Sequence, residues 1–270
     1  MKNRTRTILL TLGLILLTII SIFIVFLYTM KENEPKYSFI DLSDANIDYY
    51  NMENDIYSYE MEGYVASIGV DLSEHNIDVD FDALKKQGIE FAYLRIAWRG
   101  YVTPTLHVDK KFEEFYKGAK DAGIKVGVYF FSQAINEEEA IEEAKYTLDL
   151  IKDLKIDTYV VYDYETIEDK KARTNNLTRD ERTNNAIAFL ETIKEAGYSP
   201  MLYTNYDWIK HHYKVKILQN YPIWYAQYSK HPQYKGKYYI WQYSSGAMLD
   251  GITSPDGVDL NIMIKKEETN

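Results

Sequence analysis

Two carboxylates one residue apart, Asp163 and Glu165, close the stretch 158–166 (TYVVYDYET). The residues before them, Tyr159, Val160, Val161 and Tyr162, have the β-branched and aromatic make-up of a buried strand. Residues i and i+2 of a strand share a face, so an extended chain sets Asp163 beside Glu165 and turns Tyr164 away. Two acids on the buried face of a sheet are costly unless the site uses them. The use that fits is proton transfer, one carboxyl held protonated beside a second that carries charge. The alternative is that the strand stops at Tyr162 and both acids are solvated loop residues, as most acids after strands are.

The elements that must position this pair choose between the two. From residue 64 onward strands alternate with helices. Strands are expected at 65–72, 89–97, 124–132, 159–165 and 200–204. Helices are expected at 79–87, 109–122, 136–151 and from Thr178 to the residue before Gly197. Gly88, Gly123 and Gly197 stand where helices stop in the left-handed conformation, and Asn136/Glu139 and Thr178/Glu181 have capping-box spacing. Two later strands, 222–228 and 237–243, have little helix between them. The pattern predicts an α/β fold, an irregular (β/α) TIM-like barrel with a strand-rich C-terminal third.

Catalytic groups of such barrels lie at the carboxyl ends of the strands. Useful side chains recur there: Asp71 and Ser73, Tyr129 and Ser132, Asp163 and Glu165, Tyr203 and Asn205, then Gln227, Trp241 and Gln242, with Asp259 further on. Acids and aromatics around one mouth suit the cleavage of carbohydrate. Tyr129, Tyr203, Tyr225 and Trp241 are the expected sugar contacts, against the alternative that they are plain core.

The formal net charge of −10 and the lack of a basic stripe argue against a nucleic-acid partner. There is no cysteine, which removes thiol catalysis and zinc–thiolate sites, and the five histidines lack metal-ligand spacing, so no metal or cofactor is expected. Lys2, Arg4 and Arg6 precede an uncharged apolar run at 8–30, long enough to span a bilayer and without a small-residue cleavage site. The expected layout is a cytoplasmic tail at 1–7, a transmembrane helix at 8–30, an extracytoplasmic stalk at 31–63 and a catalytic barrel at 64–266. The barrel then lies outside the cell membrane, facing the wall.

Six stretches in order, 69–76 (GVDLSEHN), 99–101 (RGY), 122–133 (AGIKVGVYFFSQ), 162–165 (YDYE), 241–246 (WQYSSG) and 258–261 (VDLN), resemble glycoside hydrolase family 25, the Chalaropsis-type lysozymes. The resemblance covers about 66–264. It implies hydrolysis of the β-1,4 bond between N-acetylmuramic acid and N-acetylglucosamine in the glycan strands of peptidoglycan. It also implies Glu165 as general acid, Asp163 as its partner, and Asp71 and Asp259 as flanking acids of the groove. Asp163 is left three roles: nucleophile, base toward water, or orienter of the substrate's own acetamido group. Two rival readings are a catalytically silent, membrane-tethered wall-binding module and an enzyme acting on another N-acetylated polysaccharide. The topology also suggests an envelope-spanning assembly as a partner.

Overall fold

Eight strands close into a barrel in the computed structural model, which describes residues 16, 18–21 and 37–267. They are β1 (Tyr64–Leu72), β2 (Ile89–Arg99), β3 (Lys125–Phe131), β4 (Val160–Asp163), β5 (Pro200–Asn205), β6 (Ile223–Ala226), β7 (Ile240–Ala247) and β8 (Val258–Glu267). Neighbours in this order pair in parallel from β1 to β7. β8 runs antiparallel to both β7 and β1 and completes the ring. It is the one barrel strand outside the expected set, although Val258, Leu260 and Ile262 alternate with Asp259 and Asn261.

Helices α1 (Phe81–Lys86), α2 (Phe112–Asp121), α3 (Glu137–Ile151) and α4 (Arg179–Glu195) follow β1 to β4. Both expected caps form: the Asn136 side chain accepts the Glu139 N–H, and Thr178 and Glu181 make a reciprocal capping box. After β5 there is only a short π-helical turn at Trp208–His212 and one α-turn at Val215–Leu218, and after β6 a loop. The last third is irregular because these crossovers lack full helices.

Period-two alternation splits the core into two shells. Phe91, Tyr93, Val161, Met201, Tyr203, Trp224, Ile240 and Met263 fill the barrel. Their strand neighbours, among them Phe130, Tyr162 and Leu202, pack outward with Phe115 and Phe189 of the helices. Glycines on the inner face make room for the filling. A Cβ on Gly69 would lie 2.3 Å from the Phe91 ring, and one on Gly127 2.3 Å from Tyr93.

The chain divides into two units, 1–38 with 267–270, and 39–266. In the first, residues 16 and 18–21 are helical. The rest of the expected span at 8–30, and the tail at 1–7, lie outside the described residues. Among the described residues no helix is long and apolar enough to cross a membrane.

The expected stalk at 31–63 needs correction, because from Phe39 on it belongs to the second unit. Leu42 is buried and its N–H donates to the Tyr238 carbonyl at 2.7 Å. Strands Tyr50–Glu53 and Ile56–Tyr59 form a hairpin, turned by Asn54 and Asp55 with φ of 49° and 65°. Two 3-10 turns, Leu42–Asp44 and Ile47–Tyr49, precede the hairpin. The cause lies in the missing helices, which leave the outer face of β7 bare. Tyr57 covers it, its ring 5.4 Å from Trp241 and 4.8 Å from Tyr243. Acids and asparagines between the tyrosines hide this apolar side in the sequence.

Candidate active site

Asp163 and Glu165 lie where β4 runs out. Tyr162 and Tyr164 stack on the outer side with planes 7° apart, so Asp163 and Glu165 both turn to the barrel axis. The strand geometry thus persists two residues beyond the last ladder position, Asp163. Asp71 at the end of β1 and Asp259 at the start of β8 face each other in register, and all four acids line one pocket of about 220 Å³.

Their electrostatics are linked. Burial raises the pKa of Asp71, while hydrogen bonds from Gln242 (2.9 Å), Asn261 (2.8 Å) and Asp259 hold it down. Asp259 is pushed up to about 9 by burial and by Asp71, so at neutral pH it is the protonated member of that pair. Burial also raises Asp163 well above the ordinary carboxylate range, with Glu165 and Asp71 adding to the rise and Arg95 opposing it. Its Oδ1 is buried without a hydrogen-bond partner among the described residues. Glu165 is raised by burial and by Asp71, against the pull of the Tyr203 hydroxyl. Four carboxyls in one small space titrate as a set, each charge raising the proton affinity of the others.

A polar network fixes the floor. The Gln242 carbonyl oxygen accepts the hydroxyls of Tyr203 and Tyr228, both at 2.9 Å, which turns its amide toward Asp71. Asn261 donates to Asp71 and accepts the Trp224 indole N–H at 2.7 Å. Arg95 pairs with Asp109 at 2.7 Å and Glu74 at 3.2 Å. Among the described residues no cluster of histidine and acid side chains is placed to hold a metal ion.

Of the four expected sugar-contacting aromatics, Tyr129 and Tyr203 line the pocket. Tyr225 and Trp241 do not, and the reading that put them there is corrected by strand parity. Tyr225 faces outward against Tyr234 and Tyr238, with its hydroxyl on the Gln227 side chain at 2.7 Å. Trp241 is 1 % exposed under the hairpin, its indole donating to the Gln227 carbonyl at 2.9 Å. One residue along each strand points the other way, so Trp224 and Gln242 line the site instead. Tyr228, 56 % exposed at the rim, and Phe131 are further lining aromatics outside the expected set. Gln242 shares its inward parity with Asn261, its partner in the β7–β8 ladder, a relation that the tertiary structure supplies.

The family profile of glycosyl hydrolases family 25 matches residues 70–252, about two thirds of the chain. The chain belongs to glycosyl hydrolase family 25. The chain is similar to an autolytic lysozyme of Clostridium acetobutylicum, 27 % identical over 192 residues, covering 71 % of this chain and 54 % of that relative. This family 25 chain therefore spans about half the length of that relative. The spore cortex lytic enzyme SleM of Clostridium perfringens superposes with a TM-score of 0.62 at 28 % identity, covering 73 % of this chain and 67 % of SleM. A family 25 glycosyl hydrolase of Bacillus anthracis shares the fold, with a TM-score of 0.58 at 23 % identity over 81 % of this chain and 96 % of its own.

Proposed function

We propose that this family 25 barrel is an N-acetylmuramidase, a peptidoglycan hydrolase that cleaves the β-1,4 bond from N-acetylmuramic acid to N-acetylglucosamine. The observation that carries the reading is the placement of Asp163 and Glu165 on one wall of one pocket, with raised pKa values and aromatic side chains around them. The names of the autolytic lysozyme and of the cortex lytic enzyme SleM, both similar to this chain, support the wall as substrate.

In this reading Glu165 delivers a proton to the leaving oxygen as the bond to the anomeric carbon lengthens. The orphaned Oδ1 of Asp163 suits the third of the roles open to it. The acetamido N–H of the sugar donates to that oxygen, which stabilises Asp163 as the anion and leaves the pair's proton on Glu165. The acetamido carbonyl oxygen then attacks the anomeric carbon as the glycosidic bond breaks. Water later opens the ring so formed, giving its proton to Glu165 and restoring the acid. Asp71 and Asp259, sharing one proton, lie on the opposite side of the pocket and add negative potential near the positive charge that develops on the sugar.

The apolar run at 8–30 after three basic residues supports a membrane anchor with the barrel on the wall side, where such a substrate lies. The test is release of reducing ends from purified peptidoglycan by the full chain and by Glu165→Gln, with mass spectrometry of the products. New muramic acid ends that vanish in the variant support the reading. Wall binding without release would favour a silent binding module, and N-acetylglucosamine ends would overturn the bond assignment. The anomeric form of the first product tests the acetamido route, since inversion excludes it.

A further inference from the structure

Glu165 has a positioning problem that the barrel does not solve. The β3–β4 ladder ends at Phe131 with Asp163, and the β4–β5 ladder ends one residue earlier, at Tyr162 with Leu202. The Asp163 carbonyl is still held by the Ser132 N–H at 2.7 Å. Beyond it the chain enters an irregular loop that runs to Thr178, and no strand fixes the backbone of Glu165.

A side chain takes over from the sheet. Gln133 is fully buried just past β3. Its Nε2 donates to the main-chain carbonyl of Glu165 at 3.4 Å, and its Oε1 accepts the Thr174 hydroxyl at 3.1 Å, from the far end of the same loop. Gln133 is itself anchored, since its N–H donates to Glu143 at 3.3 Å and the hydroxyl of Ser132 donates to the other oxygen of that carboxylate at 2.5 Å. Glu143, fully buried on α3, is paired with Arg99 at 2.7 Å. Arg99 also meets Glu142 at 2.7 Å and the carbonyls of Pro104 (2.9 Å) and Glu139 (3.1 Å). Burial lifts Glu143 to about 7, against the pull of Ser132 and Arg99. Nothing in the proposed chemistry calls for a buried ion pair in this place.

We propose that Gln133, locked onto the Arg99–Glu143 pair, is a positioning residue that sets where Glu165 stands relative to Asp163. The dipeptide Ser132–Gln133 holds the backbone of both acids, Asp163 through a main-chain bond and Glu165 through the carboxamide. A carboxamide does this at any pH, since it donates to one carbonyl and accepts one hydroxyl at once, whereas a carboxyl can do so only when protonated. A shift of the acid by a fraction of an ångström changes proton delivery while leaving the sugar-contacting walls, Tyr129, Trp224 and Tyr228, in place. The inference rests on the reading of Glu165 as proton donor.

The test uses the full chain and compares wild type, Glu165→Gln, Gln133→Met and Thr174→Val for kcat, KM, the pH profile of kcat and Tm. Gln133→Met is expected to lower kcat about tenfold with KM within about twofold, and to move the alkaline limb of the profile by about half a pH unit. Gln133→Glu should regain activity relative to Gln133→Met as the pH falls, because only its protonated carboxyl donates to the Glu165 carbonyl. Should Gln133→Met fail to fold, Thr174→Val frees the carboxamide from its other partner, and a loss of about threefold in kcat is expected. A folded Gln133→Met, or in its absence Thr174→Val, with the kcat and pH profile of wild type overturns the proposal. So does a lower Tm with an unmoved profile, which is the mark of plain packing. An active Glu165→Gln would overturn the assignment of Glu165 itself, whatever Gln133 does.

Discussion

Asp71 and Asp259 stand directly opposite one another in the antiparallel β1–β8 ladder, two carboxyls hydrogen-bonded through one proton. The folded chain raises the pKa of both above the ordinary carboxylate value, so the folded state keeps a proton that the unfolded chain gives up near pH 4. By linkage this stability is fully present below about pH 4 and is lost as the pH rises toward the folded value of about 9 for Asp259. Asp259→Asn keeps a donor toward Asp71 without the titration. Its Tm should fall less steeply than that of wild type between pH 5 and 9 and exceed it by about 2–6 °C at pH 8. Parallel Tm-versus-pH curves for the two proteins would show that the shared proton is absent.

Glu165→Gln removes the proposed proton donor and one buried acid together. Activity on peptidoglycan should fall by about 10²–10⁴, the usual worth of a general acid. Tm near neutral pH should be no lower than wild type, because a group that burial pushes up in pKa destabilises the fold when ionised. A drop in both would mean that Glu165 supports the structure rather than the reaction.

Aromatics on the two sides of the barrel wall should separate cleanly. Tyr228→Ala, at the exposed rim, should raise KM several-fold with little change in Tm. Trp241→Ala, under the hairpin, should cost about 3–5 kcal/mol of stability, with the folded fraction keeping its KM. Denaturant melts beside steady-state kinetics at a permissive temperature read both. The reverse pattern would put Trp241 in the groove.

The hairpin should behave as part of the barrel. Tyr57 is 6 % exposed and contacts Trp241 and Tyr243, and its hydroxyl donates to the Lys230 carbonyl at 3.3 Å, in the loop that carries Tyr228. Tyr57→Ala should destabilise the domain by about 2–4 kcal/mol and unfold hairpin and barrel in one transition. Two separate transitions in hydrogen exchange or calorimetry would restore the loose stalk.

Much of this was legible from local patterns. Strand–helix alternation from Tyr64 to Asn205 follows from periodicity, and the glycine and capping-box stops place the helix ends within a few residues. The side-by-side placement of Asp163 and Glu165 follows from strand geometry alone, and the outward stack of Tyr162 on Tyr164 accounts for its survival past the ladder. β8 carries the alternation too, with Val258, Leu260, Ile262 and Ile264 outward and Asp259, Asn261 and Met263 inward, but it follows the break in the strand–helix rhythm, so its place in the barrel was not legible.

The sequence by itself determined the family, the strand that carries the paired acids and the ends of the first four helices, because each of these rests on residues close in the chain. The tertiary structure alone decided three things. It turned Trp224 and Gln242 inward and Tyr225 and Trp241 outward, since parity on a strand is set by its partners in the ladder. It drew Tyr57 and Tyr59 out of an acidic, polar-looking stretch onto a face that absent helices left bare. It also brought Asp71 against Asp259 and Gln133 against Glu165, where burial couples groups far apart in the chain and sets protonation states that no local pattern encodes.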